Sequence, residues 1–219
     1  MNHPMRNAPQ SPHSSAKPAI VVFDLGKVLV DFDYGIAGRK IAARSKLPPL
    51  EVQHLLDRSP LLYRFETGRL TRREYFEHVR EATGFDGSLE EFGSFFADIF
   101  WEIPSMVEMQ SALRRGGIPT YIFSNTNELA VEHIRRNFPF FSNFDGYILS
   151  YEVGALKPDA NIYAALERMS DKRGAEVLYL DDRPENIAAG AARGWQVILQ
   201  ESPEKSWTAV KQAGLLAGA

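Results

Sequence analysis

The sequence contains no cysteine in 219 residues. This absence excludes disulfides, thiolate metal centres and cysteine nucleophiles together, suits a reducing compartment, and leaves oxygen and histidine as the available metal ligands. Long apolar runs are also missing: no stretch approaches the roughly 20 residues that cross a bilayer, and no apolar leader core opens the chain, so a cytoplasmic protein without a membrane partner is expected. Excess charge is missing as well. Lys+Arg 25 against Asp+Glu 28 gives a net charge of -3, which offers nothing to attract a polyanion, and nucleic acid is not an expected ligand. With 44% hydrophobic and 24% charged residues, the composition is that of a globule of one domain, or one domain with an insert, as a monomer or weak homodimer.

Residues 1–18 carry Pro4, Pro9, Pro12 and Pro18 among Ser, Asn and His, and read as a disordered N-terminal tail in which His3 and His13 are solvated. Short apolar runs then recur: AIVVF at 19–23, TYIF at 120–123, YIL at 147–149, VLYL at 177–180 and QVIL at 196–199. None alternates cleanly, which is the pattern of strands buried on both faces of a parallel sheet. Helical stretches lie between them. Asn127 caps one to about Asn137, Asp159 caps one to about Met169, and Pro184 opens one that ends near Gly194. Strands alternating with helices imply right-handed crossovers, hence a doubly wound, Rossmann-like α/β core at residues 19–33 and 103–219.

Residues 34–102 break that alternation and read as a helical cap. Thr71 caps a helix with the stripe Tyr75, Phe76, Val79 and Ala82, and Ser88 with Glu91 forms a capping box. Leu89, Phe92, Phe95, Phe96, Ile99 and Phe100 recur at helical spacing and are expected to pack as a core. Arg58, Arg64, Arg69, Arg72, Arg73 and Arg80 interleave with Glu66, Glu74, Glu77 and Glu81, the pattern of a solvated face with modest ion pairs. His54, His78 and His133 show no metal-ligand spacing. Tyr34, Asp31 and Asp33 lie where the chain leaves for the cap, with hinges expected at 31–35 and at 103–104.

Ligands of open parallel sheets bind beyond the carboxyl ends of the strands. Asp24, Ser124, Asn125, Asp181 and Asp182 fall at such ends, and Lys157 lies in the loop after the third run. Three carboxylates, a hydroxyl and an amine are therefore expected on one rim. FDLGKVLV, FSNTN, GALKPD and YLDDRPEN, in this order and spacing from about residue 19 to 200, resemble the four motifs of the haloacid dehalogenase superfamily, in its branch with a helical cap after the first motif.

The resemblance implies a Mg²⁺-dependent phosphatase acting on a small phosphorylated metabolite through an aspartyl phosphate. Asp24 would be the nucleophile, with Ser124, Asn125 and Lys157 binding the phosphoryl group. Asp24, the Gly26 backbone carbonyl and Asp182 would hold the metal, with Asp181 and Asn186 supporting them. Electrostatics agree, since two unit negative charges 3.5 Å apart repel by about 5 kcal/mol at an effective dielectric of 20, so a carboxylate approaching a phosphate needs a cation. Oxygen ligands suit Mg²⁺.

One position departs from the pattern. Phosphatases of the superfamily usually carry a second Asp two residues after the nucleophile as general acid and base, help worth about 10²–10⁴-fold, and here that residue is Gly26. Three readings accommodate it. A phosphatase of a substrate with a good leaving group, such as an anomeric sugar phosphate, resembles the bacterial α-D-glucose-1-phosphate phosphatases that share this glycine. A 2-haloacid dehalogenase needs no acid for its halide, although the pair Asp181-Asp182 argues for a cation. A non-catalytic binder of a phosphometabolite needs neither.

Overall fold

The computed structural model describes residues 17–216; most of the proline-rich tail read from the sequence lies outside them. Five strands form one parallel sheet: β1 (Ile20–Phe23), β4 (Thr120–Ser124), β5 (Gly146–Leu149), β6 (Val177–Asp181) and β7 (Gln196–Leu199), in the order β5-β4-β1-β6-β7. β1 is central, pairing Val22 with Tyr121 on one side and with Tyr179 on the other. The expected α/β fold is thus present, with both sheet faces covered.

Period-two alternation divides the core. Val21 and Phe23 of β1 face a cluster with Met106, Met109 and Leu113 of α6 (Pro104–Arg115) and Val131 and Ile134 of α7 (Glu128–Asn137). Ile20 and Val22 face the other way, against Ile162, Tyr163 and Leu166 of α9 (Ala160–Ser170), together with Tyr179 and Trp195. Helix starts obey local chemistry. Asn127 accepts from Ala130 N, Asp159 accepts from Asn161 N, and Pro184 opens α10 (Pro184–Ala192), where its missing N–H costs nothing. The short α8 (Ser150–Val153) follows β5, and α11 (Pro203–Gln212) packs against α6. Among the described residues no helix is long and apolar enough to cross a membrane.

Between β1 and α6 the chain builds α1 (Tyr34–Ala42), α2 (Pro49–Asp57), α3 (Pro60–Glu66), α4 (Arg72–Thr83) and α5 (Leu89–Ala97). Phe65, Tyr75, Phe76, Phe85, Phe92 and Phe96 are buried together in their own apolar cluster. Two local readings need correction. The helical stripe stops at Ala97, and Phe100 belongs to β3 (Phe100–Glu102), which pairs antiparallel with β2 (Val30–Phe32), so the outgoing and returning chains cross side by side as a ribbon. Ser88 caps α5, but Glu91 does not complete the box because its carboxylate is taken by Arg44, which follows the end of α1; the reciprocal pair is Thr71 with Glu74.

The helical cap is pinned to the core. Arg72, at the start of α4, reaches α7, placing its guanidinium 3.2 Å from Glu128 and 3.0 Å from Glu132, while its backbone N–H donates to Glu128 at 2.7 Å. Phe92 is fully buried among Tyr75, Phe76, Phe85 and Phe96, so Phe92→Ala removes a ring that the neighbours cannot replace. A loss of about 3–5 kcal/mol is expected in urea unfolding.

Candidate functional site

The carboxyl ends of β1, β4 and β6 meet around one buried ammonium group. Lys157, in the loop before α9, is 5% exposed. Its Nζ lies 2.9 Å from Asp24 Oδ1 and 2.6 Å from Asp181 Oδ2, and it donates to the backbone carbonyl of Phe123 at 2.8 Å. Three acceptors from three strands thus fill the three donors of one amine. The loop is held in place by Asn125, whose side chain donates to Lys157 O at 3.0 Å and accepts from Lys157 N at 2.7 Å.

Asp181 is fully buried and saturated. Besides Lys157 it accepts from the Tyr179 hydroxyl, from Arg183 N at 2.8 Å and from the Asn186 amide at 3.0 and 3.2 Å. Burial alone would raise its pKa, but the Lys157 charge and these donors outweigh burial and hold it below the ordinary carboxylate value. Asn186 therefore orients Asp181, and no hydrogen bond joins it to Lys157 among the described residues. Its own backbone carbonyl accepts from the Tyr163 hydroxyl at 2.8 Å.

Asp24 is less satisfied. Its Oδ1 accepts from Leu25 N at 2.7 Å and faces Lys157, while no hydrogen bond to Oδ2 occurs among the described residues. Burial raises its pKa, Lys157 opposes the shift, and Asp181 and Asp182 add to it. Asp182 is raised too, by burial and by Asp181. Lys157 is held above its usual value, because the two carboxylates outweigh the burial that disfavours its charge.

One carboxylate oxygen from each of Asp24, Asp181 and Asp182 lies within 4.8 Å of the others. Three acids against one lysine leave an excess of negative charge at a largely buried site, and a hard cation is the group that such an all-oxygen set accommodates.

These residues border a cavity of about 630 Å³. The core contributes Asp24, Gly26, Ser124, Asn125, Lys157, Asp182 and Asn186, and the cap and ribbon contribute Phe32, Tyr34, Asp57, Leu62, Glu66 and Phe100. Of the residues expected to bind the phosphoryl group or the metal and the two expected to support them, all except Asp181 border the cavity. Ser124 is buried, with its hydroxyl only 3.4 Å from Asn125 O. Of the residues leaving for the cap, Tyr34 reaches the cavity, whereas Asp33 caps α1 through Gly35 N at 2.7 Å and Asp31 pairs with Lys27. The space that a side chain at Gly26 would take is occupied, since a Cβ there would stand 2.9 Å from Phe32 Cε1.

Sequence reasoning missed Tyr179 and Tyr163, which look like strand and helix packing, and misread Glu66 as part of a solvated face. Glu66 instead lines the cavity from the end of α3. Burial raises its pKa to about 7, with the Arg183 charge opposing. The spacing of Glu66 among arginines carried no signal of this, because the fold turns it inward only once α3 docks over the sheet.

A carboxyl with a raised folded pKa favours folding while protonated; stability is lost as pH rises past the unfolded value near 4.5 and through 7. Discounted for the open cavity, the cost above pH 7 is on the order of 1–2 kcal/mol. Glu66→Gln is expected to melt a few degrees above the parent at pH 8 and level with it near pH 4.5, as read by thermal unfolding at both values.

Residues 18–194 match the model of the haloacid dehalogenase-like hydrolases. The chain is 26% identical over 192 residues to a D-ribitol-5-phosphate phosphatase of Bacteroides thetaiotaomicron, covering 83% of this chain and 91% of that protein. A HAD-like hydrolase structure from Porphyromonas gingivalis superposes with a TM-score of 0.77 at 23% identity, over 90% of this chain and 99% of that one. A HAD family enzyme from Bacteroides thetaiotaomicron, solved with magnesium and inorganic phosphate, gives 0.75 at 20% identity, over 83% and 93%. With the motifs on their strand ends, the buried lysine between them and a family match over most of its length, the chain belongs to the haloacid dehalogenase-like hydrolases.

Proposed function

We propose that this protein is a magnesium-dependent phosphatase of small phosphomonoesters, acting through an aspartyl phosphate. The observation that carries the reading is the convergence of Asp24, Asp181 and Asp182 around one buried lysine beside a cavity. The similar ribitol-phosphate phosphatase and the similar structure with magnesium and phosphate support it. Asp24, the Gly26 carbonyl and Asp182 would hold Mg²⁺, which when bound supplies the positive charge that lets a carboxylate approach a phosphate.

The chain's own groups divide the work. The free Oδ2 of Asp24 attacks phosphorus as the bond to the leaving oxygen breaks, and that oxygen departs as an alkoxide that takes its proton from water. Lys157 balances the charge on Asp24 and on the phosphoryl oxygens, and Ser124 donates to one of them. Water then displaces Asp24 from phosphorus, releasing phosphate. Asp181 holds Lys157 in place. Because Gly26 brings no acid, the reading favours a leaving group needing little protonation, such as the anomeric oxygen of a sugar phosphate. A 2-haloacid is disfavoured, since its dehalogenation calls for no cation and the cluster of Asp24, Asp181 and Asp182 is one that a cation would fill.

Asp24→Asn is expected to lower kcat on 4-nitrophenyl phosphate by at least ~10³-fold, and EDTA to abolish activity that Mg²⁺ restores. Turnover unaffected by either treatment, or halide release from 2-chloropropionate without metal, would sink the proposal. The acid position gives a second check. Gly26→Asp forces the Phe32 ring aside, so the single variant should gain little, whereas Gly26→Asp with Phe32→Ala should raise the alkyl-to-aryl ratio of kcat/KM by about 10-fold or more.

A further inference from the structure

In-line displacement sends the leaving oxygen away from the attacking carboxylate. Asp24 belongs to the core side of the cavity lining, so the leaving group is directed toward the part that the cap and ribbon supply. That wall is unusual in its polar content. Its lining includes the apolar Phe32, Leu62 and Phe100 and two carboxylates, Asp57 from the last residue of α2 and Glu66 from the last residue of α3.

Neither carboxylate is satisfied. Asp57 Oδ1 is buried without a hydrogen bond; Arg58 Nε stands 3.6 Å away, and Gln53 donates only to Oδ2, at 3.2 Å. Glu66 makes no hydrogen bond or ion pair among the described residues. The charged and titratable groups around it are Arg183 of the core, which pairs at 2.5 Å with Glu185, and Asp57, Tyr34 and Tyr75 of the cap. Both residues are partly exposed at the cavity, and a ligand that displaces water from them without bringing donors leaves their acceptors unfilled at a cost.

We infer that Glu66 reads the hydroxyl groups of the leaving group, making the substrate a polyol or sugar phosphate. The chemistry excludes the neighbouring classes. A leaving group bearing a carboxylate would bring an acceptor where the wall needs donors, and a prenyl chain would strip water from both acids without giving a donor. A polyol supplies O–H donors along its length while its carbons lie on Phe32, Leu62 and Phe100. A site built to bond hydroxyls discriminates strongly against analogues that lack them, because its polar groups are then left unpaired.

This inference rests on the phosphatase reading, and the test separates the two. Asp24→Asn protein with Mg²⁺ is titrated calorimetrically with ribitol 5-phosphate, phosphoglycolate and geranyl phosphate, alone and combined with Glu66→Leu or Glu66→Gln. The same Glu66 substitutions are assayed in the active enzyme on ribitol 5-phosphate and 4-nitrophenyl phosphate. Ribitol 5-phosphate is expected to bind at least ~10-fold more tightly than the other two, Glu66→Leu to erase that preference, and Glu66→Gln, which keeps an acceptor, to retain it within about 3-fold. In the active enzyme, Glu66→Leu should lower kcat/KM by about 10-fold or more on ribitol 5-phosphate and by less than about 3-fold on 4-nitrophenyl phosphate. Tight binding of phosphoglycolate or geranyl phosphate by the parent, or an equal loss on all ligands in Glu66→Leu, overturns the inference. If the active enzyme hydrolyses no ester while the binding preference and its loss in Glu66→Leu are seen, the catalytic reading falls and the hydroxyl-reading wall stands.

Discussion

The site depends on one buried charge. Lys157 has no water to solvate it, and an ammonium in such a place persists only where acceptors surround it. Asp24, Asp181 and the Phe123 carbonyl meet that need from three adjacent strands, which requires β1, β4 and β6 to end at the same level. The parallel sheet provides this alignment. Asn125 then fixes the Lys157 backbone, and Tyr179, Asn186 and the Arg183 N–H complete Asp181. Much of the polar architecture at the strand ends thus holds one amine and one carboxylate still, so that Asp24 and Asp182 are the acids left incompletely neutralised.

Core and cap contribute opposite things to the cavity. The core brings concentrated charge on rigid strand ends. The cap brings aromatic and aliphatic side chains and two carboxylates, carried on helices that pack through their own aromatic cluster and meet the sheet through the β2–β3 ribbon and the Arg72 contacts to α7. Phe32 belongs to this ribbon and also fills the space beside Gly26. The missing acid and the neighbouring ring are therefore linked in packing, since a side chain at position 26 requires the Phe32 ring to move.

Much of the fold was legible from local pattern. Unalternating runs such as VLYL mark strands covered on both faces, and Asn127, Asp159 and Pro184 mark helix starts through bonds made within a few residues. The errors have the same physical origin. Phe100 continues a helical period but is drawn into an antiparallel pair with Phe32, a partner 68 positions away (100 − 32), and Glu91 abandons its cap for Arg44. Long-range partners carry no local signal.

The motifs likewise identified the rim, because strand ends of a parallel sheet must converge and Asp24, Ser124, Lys157 and Asp182 sit on them or beside them. By itself the sequence determined which groups could do chemistry: oxygen ligands without sulfur, one lysine, and no acid at position 26. The tertiary structure alone decided which acids are satisfied and which are left open. Asp181 is saturated while Glu66 and Asp57 are not, and that difference follows from burial and from donors brought by distant segments, quantities that exist only after the chain has packed.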